Sequence, residues 1–256
     1  MQVVAVQLNM AWENKAANHQ RVHELLKSNG QIQPGALVLV PEMFETGFSM
    51  NLDATAQSDS REGEQCLRDL AREFDVAVMG GVAAPVRDGL SANEAVAFAP
   101  DGRELVRYRK IKPFSFAGEQ DHYRAGESVQ LFRWQDVKIA PFLCYDLRFP
   151  ELFRDATRQG AELFAVIACW PAKRSEHWVR LLQARAIENL AVSVGTNRCG
   201  EEPNLTFDGR SCAFDQMGTP LFEATDQEQV ITTDIDINAV RDWRDRFPAL
   251  RDMSAG

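Results

Sequence analysis

No apolar run in these 256 residues approaches the roughly 20 needed to cross a bilayer, so no membrane-spanning helix is expected. The opening Met1-Gln2-Val3-Val4-Ala5-Val6-Gln7-Leu8 has no basic leader. Its apolar stretch is short and interrupted by Gln7, which argues against a signal peptide. The five cysteines (66, 144, 169, 199 and 212) are odd in number and form no CxxC pair. That pattern suits reduced thiols in a cytoplasm better than a disulfide framework. Basic charge is in deficit, with Lys+Arg 28 against Asp+Glu 37 and a net charge of −9. Nucleic acid and anionic membrane are therefore poor candidates as partners. G-x-S-x-G, G-x-G-x-x-G and Walker motifs are absent, so serine-hydrolase, dinucleotide and P-loop chemistry lack support.

Histidine is scarce as well, at four residues. His122 and His177 lie in no context that suggests Cys–His catalysis. His19 and His23 are one helical turn apart and could chelate a metal, but no HExxH pattern or third ligand accompanies them, and no metal is expected. Asn204-Leu205-Thr206 matches a glycosylation acceptor that means nothing without secretion.

What is present is an ordinary globular balance, 45% hydrophobic and 25% charged, in which strand-like and helix-like segments alternate. Strands are expected at Val3–Leu8, Ala36–Val40, Val76–Gly80, Glu94–Phe98, Glu104–Tyr108, Val129–Trp134, Val137–Cys144, Leu163–Ala168, Ala191–Gly195 and Gln229–Asp236. Helices are expected at Ala16–Ser28, Gln65–Phe74, Glu151–Gln159 and Ser175–Asn189. Turns at Pro100-Asp101-Gly102-Arg103, Gln135-Asp136 and Asp215-Gln216-Met217-Gly218 make hairpins. The hairpins rule against a purely parallel sheet, and no linker divides the chain. One α/β domain of mixed sheets over residues 1–256 is expected; periodicity does not choose between one sheet and two.

Three strand ends carry chemistry. Glu42 follows Ala36–Val40, and a carboxylate at a buried strand end among apolar neighbours is suited to general-base work; a cap or a structural ion pair is the plainer role. Lys110 and Lys112 follow Glu104–Tyr108 in the segment Tyr108-Arg109-Lys110-Ile111-Lys112-Pro113-Phe114. Their Pro and Phe neighbours suggest partial burial, a buried ammonium needs a carboxylate such as Glu42 or Glu119, and spacing does not say which lysine points inward. Cys144 closes Val137–Leu143 and opens into Tyr145-Asp146-Leu147-Arg148-Phe149-Pro150-Glu151. A helix start nearby would favour its thiolate. Glu119 sits in an irregular Gly-containing loop of the kind that builds sites. Arg185 and Glu188 share a helix face as a structural ion pair.

In order, Pro41-Glu42-Met43-Phe44, Tyr108-Arg109-Lys110-Ile111-Lys112 and Leu143-Cys144-Tyr145-Asp146-Leu147-Arg148-Phe149-Pro150-Glu151 resemble the nitrilase (carbon–nitrogen hydrolase) superfamily and its Glu–Lys–Cys triad. The likeness extends through Gly118-Glu119, Trp170-Pro171, Ala184–Asn189 and Asn197-Arg198. It implies a four-layer α-β-β-α sandwich and a dimer or larger oligomer. Among the lysines it selects Lys110, and it implies Glu42 as general base, Cys144 as nucleophile and Glu119 as the acid that orients Lys110. Tyr145, Arg148 and Trp170 are the implied substrate contacts. The Cys-Tyr-Asp-Leu-Arg-Phe-Pro-Glu run is most like the ω-amidase group, which implies a small ω-amide of a dicarboxylate as substrate and no metal or organic cofactor. A substrate carboxylate would need a cation, Arg148, Arg174 or Arg198. ω-Amidase relatives often have Asn before Trp-Pro, where this chain has Cys169. Nitrile hydrolysis, acyl transfer and a non-catalytic binding role are the alternatives on the same residues.

Overall fold

The computed structural model describes residues 1–254. In chain order its elements are β1 (Gln2–Gln7), α1 (Lys15–Ser28), β2 (Leu37–Leu39), α2 (Leu52–Thr55), α3 (Glu62–Phe74), β3 (Ala77–Ala83), β4 (Asn93–Phe98) and β5 (Glu104–Arg109). Next come β6 (Phe132–Trp134), β7 (Val137–Leu143), α4 (Pro150–Arg158), β8 (Leu163–Ala168), α5 (Ser175–Asn189) and β9 (Val192–Asn197). A ribbon of β10 (Cys199–Glu202) and β11 (Leu205–Asp208) precedes β12 (Cys212–Phe214), β13 (Pro220–Glu223), β14 (Gln229–Asp234) and α6 (Ile237–Arg246).

The strands form two six-stranded sheets, ordered β14-β1-β2-β3-β4-β5 and β13-β12-β9-β8-β7-β6. Each has three central parallel strands, β1-β2-β3 and β7-β8-β9, flanked by antiparallel ones. Parallel neighbours need a crossover, and α1, α3, α4 and α5 supply them. Period-2 alternation then sorts the side chains. Val3, Leu37, Leu39, Ala77, Met79, Ala95 and Ala97 join the apolar cluster shared with the second sheet. Their neighbours Val4, Val6, Val38, Val78 and Val96 pack with Val22 and Leu26 of α1 and Leu67 and Leu70 of α3. Phe153 of α4 and Trp178 and Leu182 of α5 cover the other sheet. The result is the expected α-β-β-α sandwich.

Differences from the expected elements have local causes. The strand expected at Val129–Trp134 is only Phe132–Trp134, and α3 begins three residues before Gln65. The final strand stops at Asp234, and Asp236, instead of ending it, caps α6 by accepting from the backbone N–H groups of Asn238 and Ala239. Between β7 and α4, which starts at Pro150 as expected, Cys144–Arg148 form a separate 3-10 turn. No helix among the described residues is long and apolar enough to cross a membrane.

Candidate active site

Ligands of sandwich and open-sheet α/β folds gather at the carboxyl ends of parallel strands, and there the chemistry-bearing residues meet. Glu42 follows β2, Lys110 follows β5, Cys144 follows β7, and Cys169-Trp170 follow β8. Glu42 and Glu119 are completely buried, and Lys110 is 1% exposed. The Lys110 Nζ donates to Glu42 Oε1 at 2.8 Å and to both Glu119 oxygens at 3.1 and 2.8 Å. Burial alone would weaken the ammonium's hold on its proton. Glu119 and then Glu42 outweigh it and hold Lys110 well above the usual lysine range. Lys112 is instead half-buried, its ammonium 3.8 Å from Glu151, so the inward lysine is Lys110.

The thiol joins this cage through the backbone of one residue, Cys169. Glu42 Oε2 accepts the N–H of Cys169 at 3.0 Å, and the carbonyl of Cys169 accepts Cys144 Sγ at 3.8 Å. Cys169 Sγ in turn donates to the Glu42 carbonyl at 3.1 Å. Cys144 has a φ of +41° and Met43, next to Glu42, a φ of +45°. Left-handed backbone at non-glycine residues is strained by about 1–3 kcal/mol each and concentrates at functional sites. The expected thiolate is corrected here: burial, followed by the Glu42 carboxylate, holds the Cys144 thiol well above the usual cysteine range, with Lys110 opposing. A short 3-10 turn supplies little dipole to offset that, so the resting sulfur keeps its proton.

Beyond the thiol lies a cavity walled by Phe48, Phe114, Trp170, Pro171, Leu205 and Phe207, with Lys110, Cys144, Tyr145, Arg148, Cys169 and Arg174 also facing it. The Arg148 guanidinium lies 4.8 Å from the Trp170 ring centroid and bonds His177 Nδ1 at 3.1 Å. Arg174 lies over Phe114 at 5.4 Å. Among the described residues neither arginine has a carboxylate partner. Burial and then Arg174 lower the Arg148 pKa. Arg198 is set aside as a carboxylate binder: it is fully buried and pairs with Glu202 at 2.9 Å. Arg185 and Glu188 pair as expected, at 2.9 Å. His19 and His23 bond Glu45 and Glu73 separately.

Two residues escaped the motif search. Asp146 accepts from the Tyr108 hydroxyl at 2.8 Å and from the backbone N–H groups of Leu143 and Lys112 at 3.1 and 2.9 Å. Asn93 Nδ2 donates to Glu42 Oε1 at 2.8 Å and to Glu119 Oε1 at 2.9 Å. The signal for Asp146 was its place two residues beyond Cys144; for Asn93 it was a lone amide opening an apolar strand.

With this geometry in hand, the comparison with known proteins is direct. The family model described as carbon-nitrogen hydrolase matches residues 2–245. The chain belongs to the carbon–nitrogen hydrolase family. It is accordingly an amidohydrolase. It is 35% identical over 254 residues to omega-amidase YafV of Yersinia enterocolitica, covering 98% of this chain and 96% of that one. It is 31% identical to 2-oxoglutaramate amidase of Bacillus subtilis (strain 168), covering 85% and 84%. Among solved structures, XC1258 of Xanthomonas campestris, a family protein with an arsenic adduct in its active site, superposes with a TM-score of 0.90. The identity is 34%, with 98% and 96% of the two chains covered. A mutant of the amidase from Nesterenkonia sp. AN1, with acrylamide added at its active-site cysteine, superposes at 0.84 with 25% identity and 99% of both chains covered.

Proposed function

We propose that this hydrolase converts a small linear amide bearing a free carboxylate, the ω-amide of a dicarboxylate such as an α-keto acid amide, into carboxylate and ammonia through a thioester on Cys144. The observation that carries this reading is the buried Glu42–Lys110–Glu119 cage, joined to Cys144 through the backbone N–H and C=O of Cys169. Glu42 takes the proton from Sγ as sulfur attacks the amide carbon. The carbonyl electron pair moves to oxygen, where the Lys110 ammonium and the Tyr145 N–H hold it; such donors contribute roughly 3–4 kcal/mol each. Collapse expels ammonia, which takes the proton held by Glu42. Glu42 then accepts a proton from water, hydroxide adds to the thioester, and the departing sulfur recovers its proton. Glu119 keeps Lys110 aligned throughout.

The substrate class rests on Arg148 and Arg174. Two guanidiniums beside an apolar cavity, with no acid to pair them among the described residues, repel each other until an anion arrives. A carboxylate would settle between them while the amide end reaches Cys144, with Trp170 and Tyr145 flanking the chain. Two relatives are named for ω-amide or 2-oxoglutaramate hydrolysis, which agrees. A homodimer suits the exposed Ile187, Met217 and Leu221, and five free cysteines suit a reducing cytoplasm.

Ammonia release from 2-oxoglutaramate, related amides and simple nitriles tests the proposal. Cys144→Ala should abolish turnover, and Arg148→Gln with Arg174→Gln should raise KM for 2-oxoglutaramate while sparing an uncharged amide. Turnover by the alanine variant, or of nitriles alone, would overturn it.

A further inference from the structure

Among the described residues only Lys110 and Asn93 donate to both Glu42 and Glu119. An amide NH2 has two hydrogens, and Asn93 gives one to each carboxylate. Its Oδ1 is buried without a partner among the described residues. Turned over, the amide would set that oxygen against two carboxylate oxygens, so the network fixes which end faces the acids. A buried carbonyl oxygen left unbonded is costly. The backbone is equally fixed: Asn93 opens β4 opposite Ala83, and its carbonyl accepts the N–H of Lys110 at 2.9 Å. Asn93 does not line the cavity.

We propose that Asn93 is a positioning residue: its amide locks the two carboxylates in register on Lys110 and so aims the remaining oxygen of Glu42 at the Cys169 peptide and the Cys144 thiol. This inference rests on the assignment of Glu42 as the base. Two carboxylates around one ammonium leave an unbalanced negative charge and repel each other. A second cation in the Asn93 position would quell the repulsion but would also weaken Glu42 as a proton acceptor. A third acid would worsen it. A neutral double donor holds both groups and leaves the charge of the cage unchanged.

Asn93→Leu keeps the branched shape and removes the donors. Folding is followed by thermal melting, and active sites are counted by mass-detected iodoacetamide labelling of Cys144. In the folded variant, kcat for 2-oxoglutaramate per labelled site is expected to fall about 100-fold, the scale of a misplaced catalytic group. KM stays within about threefold, because the residue touches no substrate, and the labelling rate falls with kcat. A kcat per site near native, or a loss carried by KM, would overturn the role. Should the leucine chain not fold, Asn93→Ser is judged by the same criteria. If the native protein releases no ammonia from any amide, the hydrolysis reading fails separately. Labelling still decides here: equal rates for native and variant chains reject Asn93 as a positioning residue.

Discussion

Tyr108 donates its hydroxyl to Asp146 at 2.8 Å, and that bond ties the strand leading to Lys110 to the turn that begins at Cys144. Both side chains are fully buried, two residues from the groups they support. Tyr108→Phe should therefore loosen the site from both sides. Hydrogen bonds to charged groups contribute about 1.5–3 kcal/mol, so urea unfolding at pH 8 should show a loss of that order together with a fall in kcat. Unchanged stability and turnover would mean that the two backbone N–H donors suffice for Asp146.

Asp146 also predicts how stability depends on pH. Burial pushes its carboxyl up to about 7, although Lys110, Tyr108 and two backbone N–H groups pull the other way. An unfolded aspartate loses its proton near 3.8. Between those limits the native chain binds more protons than the unfolded one, so the stability contributed below about pH 4 is lost as pH rises toward 7. The limiting slope for one proton is about 1.4 kcal/mol per pH unit. Urea midpoints taken from pH 4.5 to 8 should show this decline, and Asp146→Asn should reduce it to the part left by Glu202, whose carboxyl burial also pushes up to about 7.

A thiol held up by burial and the Glu42 charge reacts only when a base takes its proton, the role proposed for Glu42. Glu42→Gln should slow iodoacetamide labelling of Cys144 at pH 7 by at least about tenfold. Labelling should then rise with pH, since only the thiolate reacts and solvent hydroxide must make it. Native-rate labelling with a plateau below pH 8 would show that Lys110 alone ionises the sulfur.

The candidate residues Glu42 and Cys144 were legible because each follows an apolar run, whereas Lys110 follows the mixed strand Glu104–Arg109 and stood out only by the Pro and Phe beyond it and by the family resemblance. Choosing Lys110 over Lys112 was beyond alternation, since both have the parity of buried Val106 and Tyr108. The ladder bond from the Lys110 N–H to Asn93 decides it. Asn93 itself was invisible: its partners are 51 and 26 residues away in sequence, and no local pattern reports them. The β10–β11 ribbon was hidden by Gly200-Glu201-Glu202-Pro203-Asn204, which shows no apolar alternation. By contrast, α6 had a signal in the Asp236 cap and in buried Ile237 and Val240, but extending the last strand to Asp236 absorbed the cap.

Gly81 offers the sharpest steric test of where Glu42 must sit. It lies in β3 beside the Glu42 loop, donating its N–H to the Pro41 carbonyl and accepting that of Phe44, both at 3.1 Å. A Cβ there would come within 2.5 Å of the Glu42 Cα and 2.6 Å of the Met43 nitrogen. These are backbone atoms of a segment already strained at Met43, so no side chain can swing away to make room. Gly81→Ala should displace Glu42 from Lys110 and Cys169, lowering kcat about 100-fold and stability by about 1–3 kcal/mol. Gly30, whose added Cβ would meet nothing within 4 Å, is the control: Gly30→Ala should leave kcat unchanged. If Gly81→Ala turns over as the native protein does, the position of Glu42 tolerates a shift that its proposed role as base forbids.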